Sequence, residues 1–198
     1  MNVSLIWITR VSELEDEFLQ EYINTFDGID VEKIIVGHTN IADKQFKYIP
    51  FYERGIDALG LICHKKNIGV LAATNDICVV MHADITPTKE TLLNYNWSNI
   101  KSNDIVCPTA VNKQGDIGHT WCTRTSWSSK SPHEPYDTST YISGACLIGH
   151  KKTLLENTWN QNLIHSEGED VEMSDRLHSK GMNIYCDPSL LFNIKFRQ

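Results

Sequence analysis

The sequence predicts an α/β protein: one domain, with a mostly parallel central sheet and helices on both faces. Three observations predict it. A strand-like run, a helix-period segment and a second strand-like run follow one another over residues 3–36. Further short apolar runs then alternate with helical segments, which favours parallel strands covered on both sides. Finally, the unbroken apolar run Ile77–Met81 is too short to be anything but a buried strand, and it ends abruptly at His82-Ala83-Asp84.

Each element has its own justification. Val3–Ile8 is apolar, rich in branched residues and bounded by Thr9-Arg10, as expected of a first strand. Ser12 and Glu15 form a capping-box pattern, and Leu14, Phe18, Tyr22 and Phe26 recur at four-residue spacing, so a helix follows and stops near Gly28. Val31–Val36 is the second strand, closed by Gly37-His38-Thr39-Asn40. Residues 41–55 read as irregular and Ile56–Ile62 as a short helix. Asn67 is placed as the cap of a further helix carrying Val70 to Thr74.

After Asp84, Thr86 with Pro87 predicts a helix start and a helix through Leu93. Ile105–Val111 is the next strand. Thr140–Ile148 reads as one strand, Lys152–Glu156 begins a helix, Glu169–Lys180 is a helix closed by Gly181, and Met182–Cys186 is the last strand. Residues 112–138 are polar, interrupted by Gly and Pro, and carry Trp121, Trp127, His119 and His133. So long a connection is expected to be functional.

The totals bound the function. The chain has 198 residues, 41% hydrophobic and 22% charged, with a formal net charge of −7. That charge weighs against nucleic acid or an acidic membrane surface as a partner, while leaving room for a local basic patch. No stretch is long enough to span a bilayer and the N-terminus lacks a signal-peptide pattern, so a cytoplasmic protein without an integral membrane segment is expected. Six scattered cysteines without a C-x-x-C read as reduced, buried thiols.

Two acidic constellations carry chemistry. In a parallel sheet, ligands bind beyond the carboxyl ends of the strands, where Asp84 lies. A carboxylate there can hold a divalent cation, which in turn can hold a diphosphate. Hard oxygen ligands suit Mg²⁺ or Mn²⁺, and His82 as a second ligand favours Mn²⁺. Equally, Asp84 could simply cap a turn. Farther on, Glu169 and Asp170 open a helix, where the macrodipole favours anions and a carboxylate can accept a proton. An acidic first turn is, however, common in any helix. Between them, the small residues Ser143-Gly144-Ala145 permit close approach of a ligand or tight strand packing.

Taken in order, Asn67-x-Gly69 with Ala72, the strand ending at Asp84, Ser143-Gly144-Ala145, and Gly168-Glu169-Asp170 with Arg176-Leu177 and Gly181 resemble the GT-A-fold glycosyltransferases of the family-2 type. The likeness runs from the first strand to about residue 190. It implies a nucleotide-sugar and metal half over about residues 1–110. An acceptor half with the catalytic base would cover about 111–198. Asp84 would ligate the metal on the diphosphate, with His82 beside it, and Asp170 would be the catalytic base. Thr9, Arg10, Asn67, Gly69, His82, Ala83, Asp84, Ser143, Gly144, Ala145 and Glu169 would surround the nucleotide sugar. Trp121, Trp127 and Arg124 would meet the acceptor, since flat indoles pack on sugar faces; both rings could equally anchor the loop.

The resemblance thus implies a metal-dependent transferase using Mn²⁺ or Mg²⁺ and a nucleotide-diphospho sugar. One base and direct displacement imply inversion. The acceptor would be a glycan, glycolipid or other hydroxyl, with a modified DNA base as the phage-type alternative. His82 stands where the resembled D-x-D motif has its first acid. Gly37–Asn40 lacks the usual base-contacting acid, for which Asp43 is the substitute, and the C-terminus lacks a late histidine, leaving Asn193 as the nearest polar residue. A catalytically weak or inactive carbohydrate- or nucleotide-binding module is therefore the alternative, and a nucleotidyltransferase the second. A bare core of this kind also leaves open a protein partner or a homo-oligomer.

Overall fold

The computed structural model describes residues 2–9, 13–41, 43–51, 61–116, 121–123, 137, 139–164 and 167–195. An eight-stranded sheet has the order β3-β2-β1-β4-β9-β6-β10-β5, with β1 Val3–Ile8, β2 Glu32–Gly37, β3 Lys47–Pro50, β4 Ile77–His82, β5 Ile85–Pro87, β6 Asp104–Val111, β9 Cys146–His150 and β10 Asn183–Ile194. A separate ribbon pairs β7 Trp121–Thr123 with β8 Thr140–Ile142. The helices are α1 Glu13–Thr25, α2 Ile62–Ala72, α3 Lys89–Asn94, α4 Lys151–Glu156 and α5 Glu169–Ser179.

Four pairings are parallel (β3 with β2, β2 with β1, β1 with β4, β6 with β10), while β9 runs antiparallel to both β4 and β6, and β5 to β10. Six strands therefore point one way and two the other. This is the expected mostly parallel sheet, with β9 reversed at its centre.

Side-chain alternation divides the core into two layers. Val3, Leu5 and Trp7, with Ile77, Val79 and Met81, pack against Phe18, Leu19, Tyr22 and Phe26 of α1 and Leu92 of α3. Ile6 and Ile8, with Cys78 and Val80, pack against Val70 of α2, Leu154 of α4, and Met173 and Leu177 of α5. Trp7 anchors the first layer, its ring stacked on Tyr22 with centroids 5.7 Å apart. Gly69 lets α2 lie close on the sheet, because a Cβ there would sit 2.4 Å from Ile6 Cγ2. Cys63, Cys78, Cys107, Cys146 and Cys186 are free thiols, and the first four are buried, as expected of reduced core residues.

Several elements depart from expectation. Residues 47–50 form an edge strand within the segment read as irregular. Their side chains are mostly exposed, so no apolar pattern betrayed it. The helix placed at Asn67 begins five residues earlier, at Ile62. Thr86-Pro87 lies in β5, and Thr88 is the cap of α3, its hydroxyl accepting from Thr91 N at 3.0 Å. The run Thr140–Ile148 is two strands broken at Ser143-Gly144-Ala145. The last strand reaches Ile194, absorbing Pro188 in a register shift between Asp187 and Leu191. Ser12 and residues 56–60 of the expected short helix lie outside the described residues.

Candidate active site

Topology brings the two acids to one edge of the sheet. β4 ends at His82, and Asp84 follows two residues later. α5 leads into β10, whose first residue pairs with Asp104 at the start of β6. The helix therefore begins at the carboxyl edge of the parallel strands, and Asp170 is in its first turn. β9, being antiparallel to β4, also starts at that edge, so Ser143–Ala145 lies between the two acids.

The break at 143–145 is the physical junction. On one side, His82 N donates to Ala145 O at 2.9 Å. On the other, Gly144 N donates to Asp170 Oδ2 at 3.1 Å, while Val171 N donates to Asp170 Oδ1 at 2.8 Å. Two backbone donors thus fix the Asp170 carboxylate and leave lone pairs on both oxygens for another donor. Ser143 Oγ accepts from Ala145 N at 3.2 Å, which sharpens the turn. A Cβ on Gly144 would meet Lys66 Nζ at 3.0 Å, Glu169 Oε1 at 3.3 Å and Asp170 Cβ at 3.5 Å. Only a glycine leaves that point open.

The turn carrying Asp84 is braced from behind. Tyr22 Oη donates to Ala83 O at 3.0 Å, Lys195 N to Asp84 O at 2.8 Å, and Trp7 Nε1 to Ile85 O at 3.2 Å. Three consecutive carbonyls are therefore held by α1, by the residue after β10, and by β1. Burial, with the negative charge of Asp84 next in order, pushes the Tyr22 phenol well above its ordinary value, so it remains a donor. The sequence showed Tyr22 and Trp7 only as core aromatics, and Lys195 not at all. Tyr22 and Trp7 reach these carbonyls with their polar tips and Lys195 with its backbone N–H, across 61 to 111 residues of sequence, which local pattern does not reveal.

Other residues expected at the site have different employment. Thr9 is fully buried, its hydroxyl donating to His38 O at 3.0 Å and its carbonyl accepting from Lys65 Nζ at 2.8 Å. It ties the ends of β1 and β2 together, and no surface remains for a nucleotide. Asn67 is in mid-helix, and both ends of its amide bond the backbone of Trp159, each at 2.9 Å. Gly69 is a packing glycine in the body of the fold. Ala83 is buried and contributes its carbonyl to the brace. Glu169 is buried behind Gly144. Asp43 caps its own turn, accepting from Gln45 N at 2.7 Å. It is Asp16 of α1 that reaches the segment after β2, accepting from Asn40 Nδ2 at 2.9 Å and from the Thr39 hydroxyl. Asn193 pairs with Thr86, and Lys195 is the residue bonded to Asp84. Arg10, Arg124, Trp127, His119 and His133 lie outside the described residues, as does the side chain of Trp121.

The donor set at β4 fits a divalent cation in a limited way. An imidazole and a carboxylate two residues apart suit Mn²⁺. Among the described residues, no group of three or more His, Cys, Asp or Glu side chains is placed to hold a metal. A cation here would take its remaining ligands from a diphosphate and water, as Mg²⁺ and similar hard ions do in phosphate sites. A groove of about 680 Å³ lies along α5, lined by Glu167, Gly168, Val171, Glu172, Asp175 and Arg176. These residues form the stripe opposite Asp170, Met173 and Leu177, so the groove is not part of the junction.

No protein-family profile matches the chain, and no curated protein matches it by sequence. Solved structures do match. GalNAc-T7 with UDP, GalNAc and Mn²⁺ aligns over 100% of this chain at a TM-score of 0.69 and 12% identity. A mutant Drosophila β-1,4-galactosyltransferase 7 with manganese, UDP-Gal and xylobiose aligns over 94% at 0.56 and 13%. The mannosyltransferase PcManGT of Pyrobaculum calidifontis with GDP-Man and Mn²⁺ aligns over 97% at 0.58 and 16%. The chain spans 43%, 65% and 56% of those chains respectively. At such identities the likeness is one of architecture, and by that architecture the chain carries the GT-A fold.

Proposed function

We propose that this protein is a metal-dependent, inverting glycosyltransferase that moves a sugar from a nucleotide-diphospho sugar to an acceptor hydroxyl. One observation carries the reading. The Ser143–Ala145 break is hydrogen-bonded at once to the end of β4, two residues before Asp84, and to the Asp170 carboxylate. A ligand lying over that break would have Asp84 toward one end and Asp170 toward the other. The structural neighbours, whose names include transferases crystallised with UDP or GDP sugars and Mn²⁺, support the same class.

In this reading Asp84 and His82 hold the cation, which when bound neutralises charge developing on the diphosphate. The acceptor oxygen attacks the anomeric carbon as the bond to the diphosphate breaks. Its proton passes to Asp170, and the electron pair leaves with the diphosphate. Gly144 and Ala145 permit backbone contact with the sugar. One carboxylate works as ligand and the other as base because their surroundings differ. The acceptor is taken to be a glycan or glycolipid hydroxyl. No helix among the described residues is long and apolar enough to cross a membrane.

The test is a thermal-shift screen of UDP, GDP and their sugars, with and without Mn²⁺. A ligand selective for the folded state raises the midpoint by mass action. The expected result is a shift for one nucleotide family that needs the metal. Metal-independent binding, or none, contradicts it. The sparse ligand set around Asp84 favours one second reading, a binding module that has lost turnover. Release of free sugar from the bound donor in Mn²⁺ separates the two.

A further inference from the structure

Lys66 is 1% exposed, and its Nζ has no hydrogen-bond partner among the described residues. Two other buried lysines account for themselves. Lys33 donates to Phe26 O, Ile29 O and Gln45 Oε1, and Lys65 donates to Thr9 O. Burying an ammonium without acceptors costs several kcal/mol by the usual reckoning, so the position of Lys66 calls for a reason. Its Nζ lies 5.5 Å from the centroid of the Trp159 ring, and Asn67 holds the Trp159 backbone through both ends of its amide. On the other side it lies against Gly144, where Glu169 Oε1 and Asp170 Cβ also converge.

We propose that Lys66 is a positioning residue for the α5 carboxylates, a buried cation under Gly144 that sets the charge balance in which Asp170 takes the acceptor proton. This rests on the transferase reading above. The groups that face Lys66 are Glu169 and Asp170 from α5, Cys63 on its own helix and Cys146 from β9. Burial lowers its own pKa; Glu169 opposes that most, then Cys63, Asp170 and Cys146. The two cysteine thiols are pushed up by burial, Cys63 to about 11, so neither carries charge at neutral pH. The acids are thus the charged groups the cation meets.

The sign follows from Coulomb's law. A nearby cation favours the ionised carboxylate, so its removal makes the base protonate at higher pH. The experiment measures the pH–rate profile of Mn²⁺-dependent donor turnover, using whichever UDP or GDP sugar shifts the wild-type midpoint. Lys66→Met removes a buried amine that lacks a hydrogen-bond partner but also leaves the buried Glu169 without a facing cation, so its melting curve is recorded beside the pH–rate profile. Its acid limb should move up by about one pH unit, the scale of a unit charge several ångströms away. Lys66→Arg should keep the wild-type limb. Glu169→Gln, which removes the carboxylate that most offsets the cation, should move the limb down.

A folded Lys66→Met protein whose limb superimposes on wild type overturns the proposal. So does one inactive at every pH, because raising the pH restores what a charge effect removes. If Lys66→Met does not fold, a Glu169→Gln limb that is unmoved or moves up overturns it. Wild-type protein without donor turnover sinks the transferase reading itself, and the Lys66 role with it. Wild-type turnover with an unmoved limb sinks the Lys66 role alone.

Discussion

Gly144→Ala isolates the junction from every other feature of the fold. Gly144 is not among the positive-φ glycines, so its backbone accepts alanine without strain. What changes is the single methyl group. It would lie 3.0 Å from Lys66 Nζ, 3.3 Å from Glu169 Oε1 and 3.5 Å from Asp170 Cβ. The first two are ends of flexible side chains and can retreat by a few tenths of an ångström, so the cost to stability is about 1 kcal/mol, at the low end for an overpacked site. For a chain of this size that lowers the midpoint by about 2–4 °C.

The Asp170 carbon, at 3.5 Å, is in ordinary van der Waals contact; where the buried ends of Lys66 and Glu169 give less than is needed, the turn itself backs away from α5. The bond from Gly144 N to Asp170 Oδ2, now 3.1 Å, lengthens as it does. A hydrogen bond to a charged acceptor contributes about 1.5–3 kcal/mol, and each 1.36 kcal/mol on the barrier is tenfold in rate. The expected loss in kcat is therefore about 10- to 100-fold, measured at saturating donor and Mn²⁺ beside a melting curve. A folded Gly144→Ala protein with wild-type kcat would refute the claim that this turn holds the base.

Four further outcomes follow from the same geometry. Asp84→Asn should abolish the Mn²⁺-dependent midpoint shift given by the nucleotide diphosphate, while the protein without ligand melts near wild type. Asp170→Asn should keep that shift and lose transfer; normal transfer would mean the base is elsewhere. Tyr22→Phe deletes the 3.0 Å bond to Ala83 O and leaves a buried carbonyl unsatisfied, at a cost of about 1–3 kcal/mol. It should also weaken Mn²⁺ in a titration well below the melting point, and unchanged metal affinity would show the brace to be purely structural. The acid-limb displacement of Lys66→Met is the fifth, and its sign is opposite to that of Glu169→Gln.

Much of the fold was legible because its main elements bury continuous apolar surface. β1, β2, β4 and β6 are short runs of branched residues, and α1 shows its face in Phe18, Tyr22 and Phe26. β3 was not, since Lys47 and Tyr48 are exposed at a sheet edge and pattern carries no signal there. The true start of α2 was hidden because Lys65 and Lys66 look like solvent-facing residues, whereas both are buried. The break in Thr140–Ile148 was hidden because its flanks are apolar on both sides and only Gly144 marks it.

The candidate site divides in the same way. Asp84 stood out because it follows an unbroken apolar strand, and Asp170 because it opens a helix in the run Gly168-Glu169-Asp170. Thr9, Asn67 and Gly69 stood beside them in the sequence pattern, yet their atoms are spent on holding strands, Trp159 and a helix-to-sheet contact. Lys66, Tyr22 and Trp7 gave no sign, because what they do depends on partners brought near only by the finished sheet.

The most direct measurement is a crystal of the protein grown with Mn²⁺ and the nucleotide diphosphate that shifts its midpoint, recorded at the manganese absorption edge. The account predicts an anomalous peak in ligand contact with Asp84, the diphosphate on that ion, and the open side of the Asp170 carboxylate facing the far end of the bound donor. Manganese bound elsewhere, or a nucleotide seated away from Ser143–Ala145, would contradict it.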